Sequence, residues 1–314
     1  MKRILIALCL SLICIYSSAQ TIHWLTFVDT TDPNVGKIDV YNRQMLYNNF
    51  INVVNASLSA KGYSCDIHDY YGHKVTPENC KEAVESLSIT DPNDIIVFYY
   101  IGHGGRPSTD PVYMEEHPYP QMCLAQLCEE KFIPLEWVNE QLSSKGARLS
   151  VTIGVCSNSK ILSGTVLHTE NTDTVVRNIV SCTENIDNIA QNTTQQDFVQ
   201  NQGSIDISIN KSKHIQELFL NTRGNIIATS SSPGQTSGCV QIAGPRPCHP
   251  MIAMTNPQWF RDWYSFAICN FFETQLEQYG KKINWDKFLS KIGKYVDKNT
   301  GHNQSPIYTI NKRK

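Results

Sequence analysis

IIVFYYIGHGG, residues 95–105, joins a continuous run of apolar and aromatic residues to a histidine flanked by glycines. An apolar run of this length, preceded by the turn residues DPND at 91–94, is typical of a strand buried on both faces of a parallel sheet. Glycines on both sides leave His103 without neighbouring side chains. We therefore expect its ring to stand in a cleft that another backbone can approach closely.

The composition of the chain narrows the class of protein before any motif is considered. The chain has 314 residues, of which 41% are hydrophobic, and its formal net charge is −2. This length supplies enough apolar surface for one large domain or two small ones. Because there is no basic surplus, we expect no nucleic-acid partner and no anionic-membrane partner.

The N-terminal segment has the features of a secretory signal. Residues 1–19, MKRILIALCLSLICIYSSA, contain two basic residues, a short apolar core and small residues before the expected cleavage point. No later stretch is apolar for long enough to cross a bilayer. We expect residues 1–19 to be a signal peptide and residues 20–314 to be a single exported domain, in the periplasm, at the cell surface or outside the cell.

The cysteine count points to one unpaired thiol. Eleven cysteines, less the two in the signal, leave an odd number in an oxidising compartment. Eight of them could form four disulfides, with Cys123/Cys128 and Cys239/Cys248 the favoured pairs, which leaves Cys156 as the candidate free thiol. The alternative is that several cysteines are buried and reduced. Residues 239–249 (CVQIAGPRPCH) lack two closely spaced ligand pairs, so a disulfide loop is favoured there over a metal site, and no metal or cofactor is predicted.

Strand patterns alternate with helix patterns along the chain, and this order predicts the fold class. The predicted strands lie at 22–29, 64–69, 95–101, 149–155 and 225–230. The predicted helices lie at 41–61, 76–87, 134–142, 214–221, 258–279 and 285–296. Parallel strands need crossover helices, so the order predicts an α/β fold with a mainly parallel sheet covered by helices on both faces. The stretches 106–130 and 157–213 are expected to be long loops.

Two candidate catalytic residues follow two of these strands directly. His103 follows the strand at 95–101, and Cys156 follows the strand at 149–155. The carboxyl ends of parallel strands meet at the edge of the sheet where ligands bind. A thiol beside an imidazole makes a nucleophile with an acid–base partner. The backbone N–H groups of Gly104 and Cys156 could then stabilise an oxyanion.

These residues resemble the caspase and metacaspase group of cysteine peptidases. The His-Gly pair appears as His103-Gly104, Cys156 lies 53 positions later, and the terminal GHNQSPIYT resembles a QxP-type strand of that group. The resemblance implies a caspase-like three-layer sandwich, a His103/Cys156 dyad, an oxyanion hole of Gly104 and Cys156, and protein or peptide substrates. Metacaspases usually have Asp-x-Cys, whereas Gly154 stands here. Calcium activation is common among metacaspases, but no loop in this sequence demands the ion.

Two further expectations concern specificity and activation. Asp29 ends the first predicted strand and could bind a basic side chain before the scissile bond, which predicts cleavage after Arg or Lys. The competing interpretation is that Asp29 caps the turn that contains Asp32. A pocket for Asp would instead need arginines, and Arg106 is the only obvious one. Cleavage of a zymogen is expected in the two long loops, where the basic candidates are Lys160, Arg177, Lys211 and Lys213.

Two rival interpretations remain open. Residues 154–158 (GVCSN) partly resemble the nucleophile elbow of α/β-hydrolases, which would make the protein a cysteine esterase. That fold would need a histidine after the nucleophile, namely His214, His249 or His302. The second rival is a non-catalytic, caspase-like peptide-binding protein, which the absence of an acid at Gly154 would favour.

Overall fold

The computed structural model describes residues 20–32, 35–124, 132–160, 207–243 and 256–313. The predicted signal peptide lies outside the described residues. So do four residues named above: Cys128, Arg177, Cys248 and His249.

The described part of the chain alternates strands and helices. In chain order the strands are β1 (Thr21–Val28), β2 (Ser64–Tyr71), β3 (Ile95–Ile101), β4 (Gly104–Gly105), β5 (Gln121–Cys123), β6 (Phe132–Pro134), β7 (Leu149–Val155), β8 (Gly224–Thr229), β9 (Cys239–Gln241), β10 (Phe260–Asp262) and β11 (Ile307–Lys312). The helices are α1 (Gly36–Leu46), α2 (Asn52–Ser59), α3 (Pro77–Ser86), α4 (Pro111–Glu116), α5 (Leu135–Ser144), α6 (Ile209–Leu220), α7 (Trp263–Asn270) and α8 (Trp285–Asn299).

Six of these strands form one sheet in the order β11-β8-β7-β3-β1-β2. Five of them are parallel, and β11 pairs with β8 in the antiparallel direction. The strands β3 and β7 are direct neighbours, and Ile101 lies opposite Val155 at their carboxyl ends. This register brings together the two loops that carry His103 and Cys156.

Side chains of the central strands alternate between two cores, one on each face of the sheet. In β3, Ile95, Val97, Tyr99 and Ile101 pack on the first face, with α1, α2, α6, α7 and α8. The intervening Ile96, Phe98 and Tyr100 pack on the second face, with α3 and α5. Both faces of the strand are buried, as its continuous apolar sequence predicts. The predicted α/β architecture, a mainly parallel sheet covered on both faces, is confirmed.

Several element boundaries follow from local signals in the sequence. The Thr76 side chain accepts a hydrogen bond from Asn79 N at 3.1 Å and caps α3, whose first residue is Pro77. The predicted helix at 41–61 is observed as α1 and α2 joined by a π-helical turn, Tyr47–Ile51. It stops before Gly62, which adopts a φ of +86°.

Three boundary predictions were wrong. The helix predicted at 258–279 begins only at Trp263, because Asp262 caps it and the preceding residues form β10. The loop predicted at 106–130 contains α4 and β5, and β5 links β4 to β6 in a small antiparallel sheet. Helix α6 begins at Ile209, so Lys211 and Lys213 lie in a helix rather than in an exposed loop.

No disulfide joins two cysteines within the described ranges. Each of the two favoured pairs has one partner outside those ranges, so both pairs stay predictions. None of the described helices is long and apolar enough to cross a membrane.

Candidate active site

The two predicted catalytic residues leave neighbouring strands at the same edge of the sheet. His103 lies two residues after the end of β3, and Cys156 directly follows β7. Gly102 N donates a hydrogen bond to Val155 O at 3.2 Å, which ties the two loops together at their origin. Both residues therefore emerge at the same edge of the sheet, as predicted, and the structure shows that their strands are neighbours.

Gly104 packs directly against the thiol. A Cβ atom added to Gly104 would lie 2.5 Å from the Cys156 sulfur and 2.9 Å from the Gln121 carbonyl oxygen. Because no real Cβ tolerates such contacts, only glycine lets the loop that follows β3 and carries His103, the histidine loop, lie this close to the cysteine. The opening motif thus has a glycine here because it contacts Cys156.

The Cys156 thiol is covered in this conformation, since the residue is 1% exposed. Burial raises the pKa of the thiol well above its ordinary value, and the nearby Asp262 and Cys123 raise it further. The resting form at neutral pH is therefore the neutral thiol. Thiolate chemistry at Cys156 requires a movement that uncovers the sulfur.

Asp32 is the group that holds the His103 ring. Its Oδ2 lies 2.9 Å from His103 Nε2, and the histidine side chain is 22% exposed. Burial lowers the pKa of His103, but the hydrogen bond and charge of Asp32, assisted by Asp39, outweigh it and raise the pKa to about 9. The ring is therefore an imidazolium at neutral pH, with Nε2 engaged by the carboxylate.

The carbonyl of His103 is also held. The Tyr100 hydroxyl lies 2.6 Å from His103 O and 2.7 Å from Cys123 O, so the buried tyrosine supports the histidine loop from below. Cys123 N donates to His103 O at 3.0 Å. These contacts fix the backbone that carries the ring.

Asp29, the predicted substrate-binding residue, directly follows β1 beside this loop. Its backbone N donates to Ile101 O at 3.0 Å. Its Oδ1 accepts hydrogen bonds from Thr31 N at 3.1 Å and Thr31 Oγ1 at 3.0 Å. The carboxylate therefore caps its own turn, as the competing interpretation predicted. Burial and the charge of Asp32 raise its pKa, against the two Thr31 hydrogen bonds.

One of the two predicted oxyanion donors is engaged by a side chain. Cys156 N donates to Ser230 Oγ at 3.1 Å. Ser230 Oγ in turn donates to Cys156 O at 2.9 Å, and Ser231 Oγ donates to the same oxygen at 3.0 Å. A substrate oxyanion would have to displace Ser230 Oγ to use the Cys156 N–H group.

Two more buried aspartates act on His103 and Cys156, and the sequence did not single them out. Asp39 Oδ1 accepts from Asn42 Nδ2 at 2.9 Å, whereas its buried Oδ2 has no hydrogen-bond partner. Asp262 accepts from Tyr264 N at 2.7 Å and Ser265 N at 3.0 Å as the cap of α7. The N-cap preference for Asp could have located Asp262.

Burial governs the protonation of both aspartates. It raises the pKa of Asp39 well above the ordinary value, against the Asn42 hydrogen bond, and the charge of Asp262 adds to the rise. It also raises the pKa of Asp262 to about 6, against three hydrogen bonds that lower it. Burial disfavours the charged form of both carboxylates, and a nearby cation would stabilise that form.

Gly154, where the family resemblance leads one to expect an acid, faces the second core. A Cβ atom there would lie 2.7 Å from Leu135 Cδ2. The space that an acidic side chain would enter is filled by an apolar residue of α5. The packing around Gly154 is therefore consistent with the absence of an acid at this position.

The histidines required by the α/β-hydrolase interpretation are engaged elsewhere. His214 Nδ1 lies 3.1 Å from Glu217 Oε2 within α6, and His302 Nδ1 lies 2.7 Å from Asp297 Oδ2 after α8. His249 lies outside the described residues. No group of three or more metal-ligating side chains occurs in the part of the chain that is described.

Comparison with known proteins finds similarity to solved structures. No family model matches the chain, and no curated protein matches it. The chain is similar to caspase-1 from Spodoptera frugiperda at 10% sequence identity, over 92% of this chain and 85% of that chain, with a TM-score of 0.45. The function proposed below rests on the geometry of the site.

Proposed function

We propose that the mature chain is an exported cysteine endopeptidase. Cys156 is the nucleophile, His103 is the acid–base residue, and Asp32 orients the imidazole. The observation that carries the proposal is the convergence of a thiol and an aspartate-held imidazole at the ends of adjacent strands, with Gly104 packed between the loops. Export rests on the predicted signal peptide, and the substrates are peptides or proteins.

The protonation states of Cys156 and His103 determine the sequence of steps in the proposed reaction. The thiol loses its proton to solvent once it is uncovered, and the thiolate attacks the scissile carbonyl to form a C–S bond. Asp32 holds Nε2, so Nδ1 of His103 is the ring nitrogen that can give a proton to the departing amine as the C–N bond breaks. Neutral His103 then takes a proton from the water that attacks the thioester, which releases the acid and restores the thiolate–imidazolium pair.

Cleavage after Arg or Lys is the specificity that we propose. Asp29, Asp39 and Asp262 are buried near the dyad, and Asp39 Oδ2 has no hydrogen-bond partner. A guanidinium or ammonium group could pair with a carboxylate there and offset the cost of burying it. Because the pKa of Asp262 is about 6, we expect basic peptides to bind more tightly as the pH rises through that value.

Arg106 offers little support for a pocket that accepts Asp. Its Nε and Nη2 atoms donate to the carbonyl oxygens of His117, Pro118 and Asn158 and to the Asn158 side chain. Those donors are therefore engaged within the protein. This supports a preference for basic over acidic residues before the scissile bond.

The covered thiol favours one alternative, a non-catalytic peptide-binding protein. Cys156 is 1% exposed and its N–H group is engaged by Ser230. A protein that binds peptides without turnover would keep both features in the presence of substrate. A peptidase must release them when a peptide enters the cleft.

A cleavage profile of the purified mature protein on a peptide library tests the proposal. We expect cuts after Arg and Lys that are absent in Cys156→Ala and His103→Ala, but retained in Cys65→Ala. Fluorogenic peptides ending in Arg, Lys, Asp, Asn or Ala then test the pocket in Asp29→Asn and Asp39→Asn. A folded wild type that cuts no peptide would contradict the peptidase proposal. Preference for Asp or Ala would contradict only the specificity.

A further inference from the structure

Arg106 is a buried guanidinium three residues after His103, and it is 1% exposed. Its Nε donates to Asn158 O and Oδ1, both at 3.0 Å, and its Nη2 donates to Asn158 Oδ1 at 2.7 Å. Nη2 also lies 3.2 Å from both His117 O and Pro118 O. The backbone N of Arg106 donates to Ser159 O at 2.8 Å. The side chain thus spans from the histidine loop to the cysteine loop.

The charge of Arg106 is buried without a carboxylate partner. Among the described residues, its hydrogen-bond partners are three carbonyl oxygens and one side-chain amide oxygen. Its Nη1 is buried and has no partner. Burying a charge in this way costs free energy, which only charge-assisted hydrogen bonds to well-placed oxygens can offset. The loops that supply those oxygens are therefore held to the position that the guanidinium requires.

Asn158, two residues after Cys156, is the other half of this contact and is fully buried. Its Nδ2 donates to Pro118 O at 2.9 Å and to Ser231 O at 3.1 Å. Its backbone N donates to Gln235 O at 2.9 Å. Every polar atom of the side chain is therefore used. Asn158 joins the cysteine loop to the segment after β8 and to the histidine loop at once.

We propose that Arg106 and Asn158 are positioning residues that hold His103 and Cys156 in register for the reaction. The inference rests on the proposed peptidase function. Arg106 lies three residues after His103, and Asn158 lies two residues after Cys156. A shift in the Arg106–Asn158 contact is therefore passed to the reacting groups through very short stretches of backbone. Misplacement of reacting groups by about 1 Å can cost on the order of 10²-fold in rate.

The planar fork of arginine is essential to this contact. Nε and Nη2 reach Asn158 Oδ1 together, whereas a lysine ammonium is a point donor that cannot present two parallel N–H groups. Arg106→Lys therefore keeps the charge but breaks the contact. Arg148 is a matched control, because it lies just before the amino end of β7, and its Nη2 donates to a backbone carbonyl, Leu220 O.

The test measures steady-state kinetics and the alkylation of Cys156 by iodoacetamide, located by peptide mapping, in folded variants of the mature protein. In Arg106→Lys we expect kcat to fall by about 10- to 100-fold with KM changed less than about threefold, because the residue does not touch substrate. We expect Cys156 to be alkylated at least several-fold faster, because the histidine loop, which contains Gly104, no longer covers it. Arg148→Lys should leave kcat and the alkylation rate unchanged.

A second variant keeps the inference testable if Arg106→Lys does not fold. Asn158→Asp retains a partner for the guanidinium but loses both Nδ2 donors, and we expect the same direction in both measurements. Unchanged kcat and unchanged alkylation in a folded variant would overturn the inference. If the wild type cuts no peptide, the proposed function fails, and the alkylation rates alone then decide whether Arg106 and Asn158 set the position of the thiol.

Discussion

Each end of the sheet carries a histidine, an aspartate and a cysteine, but only one set converges. At the carboxyl end, His103 is held by Asp32, and Cys156 packs against the histidine loop. At the amino end, His23 Nδ1 lies 3.0 Å from Asp66 Oδ2, and Cys65 precedes Asp66 in β2. The residue types are the same, so the two sets differ in where they lie relative to the strands. We expect this position to decide which set reacts with a substrate and which set only stabilises the fold.

The amino-end set lies within strands. His23 and Asp66 are opposite one another in β1 and β2, and side chains alternate along a strand, so Cys65 points to the other face of the sheet from Asp66. Asp94, which lies 3.6 Å from His23 Nε2, accepts three backbone N–H groups from nearby turns. These contacts hold the start of the sheet.

The carboxyl-end set lies just beyond the strands. Loops that leave adjacent parallel strands can turn toward one another, and here the loop that carries His103 packs against Cys156 from a distant part of the sequence. We therefore expect a histidine–aspartate pair to be catalytic only where a nucleophile lies beside it.

The largest effect is expected from removing either member of the dyad. His103→Ala and Cys156→Ala should each lower kcat/KM by about 10³-fold or more, because the two groups act as a unit. Their counterparts His23→Ala and Cys65→Ala should leave kcat/KM within about twofold, at some cost in thermal stability for His23→Ala. Fluorogenic peptide kinetics on folded variants provides the measurement. Equal losses at both ends would remove the distinction between them.

The next effect concerns Asp32. Without its hydrogen bond and charge, burial should lower the pKa of His103 from about 9 toward its ordinary 6.5, although Asp39 and Cys123 still raise it. A pKa of 6.5 would lower the imidazolium fraction at pH 8 by about 30-fold. We therefore expect the basic limb of the kcat profile to shift to lower pH in Asp32→Asn by more than about one unit. Asp66→Asn should leave that limb in place.

The same raised pKa predicts a pH-dependent contribution to stability. A histidine whose folded pKa lies above its unfolded value stabilises the fold fully below about pH 6.5, and this contribution is lost as the pH rises through about 9. The difference in thermal midpoint between wild type and Asp32→Asn should therefore shrink across that range. A difference that stays constant from pH 6 to pH 10 would contradict the ion pair.

A smaller effect is expected from Ser230, whose Oγ accepts the Cys156 N–H. Ser230→Ala frees this donor for a substrate oxyanion, so kcat should rise by about fivefold, the equivalent of a net hydrogen bond of ~1 kcal/mol. Ser231 contacts only the carbonyl of Cys156 through its side chain, so Ser231→Ala is the matched control and should not raise kcat. A fall in kcat for Ser230→Ala would mean that the hydroxyl supports the site rather than occupying it.

Much of the fold could be predicted from local sequence. The continuous apolar run at 95–101 and the strand pattern at 149–155 predict both strands to the residue, and both strands are buried on both faces. The predicted helix at 258–279 failed for the opposite reason. Aromatic residues at helical spacing continue across a strand, and only the cap at Asp262 marks where the helix begins.

Only the site residues that lie beside a predicted strand end could be predicted from the sequence. His103, Gly104 and Cys156 each stand beside a strong strand signal, so their meeting followed from the parallel order of the sheet. Asp32 and Asp39 have no such signal, because their relation to His103 depends on how α1 and its preceding turn fold back. The sequence suggests Arg106 as the arginine of a pocket for Asp, but in the folded chain it is buried between two loops.

The proposed peptidase depends on Cys156 acting as a nucleophile at the carboxyl end of the sheet. Incubation of the mature protein with a peptide acyloxymethyl ketone ending in Arg, followed by peptide mapping in a mass spectrometer, tests it directly. We predict an adduct at Cys156 and not at Cys65, lost in His103→Ala and retained in His23→Ala. An adduct on another cysteine, or equal labelling of Cys156 in His103→Ala, would contradict the claim.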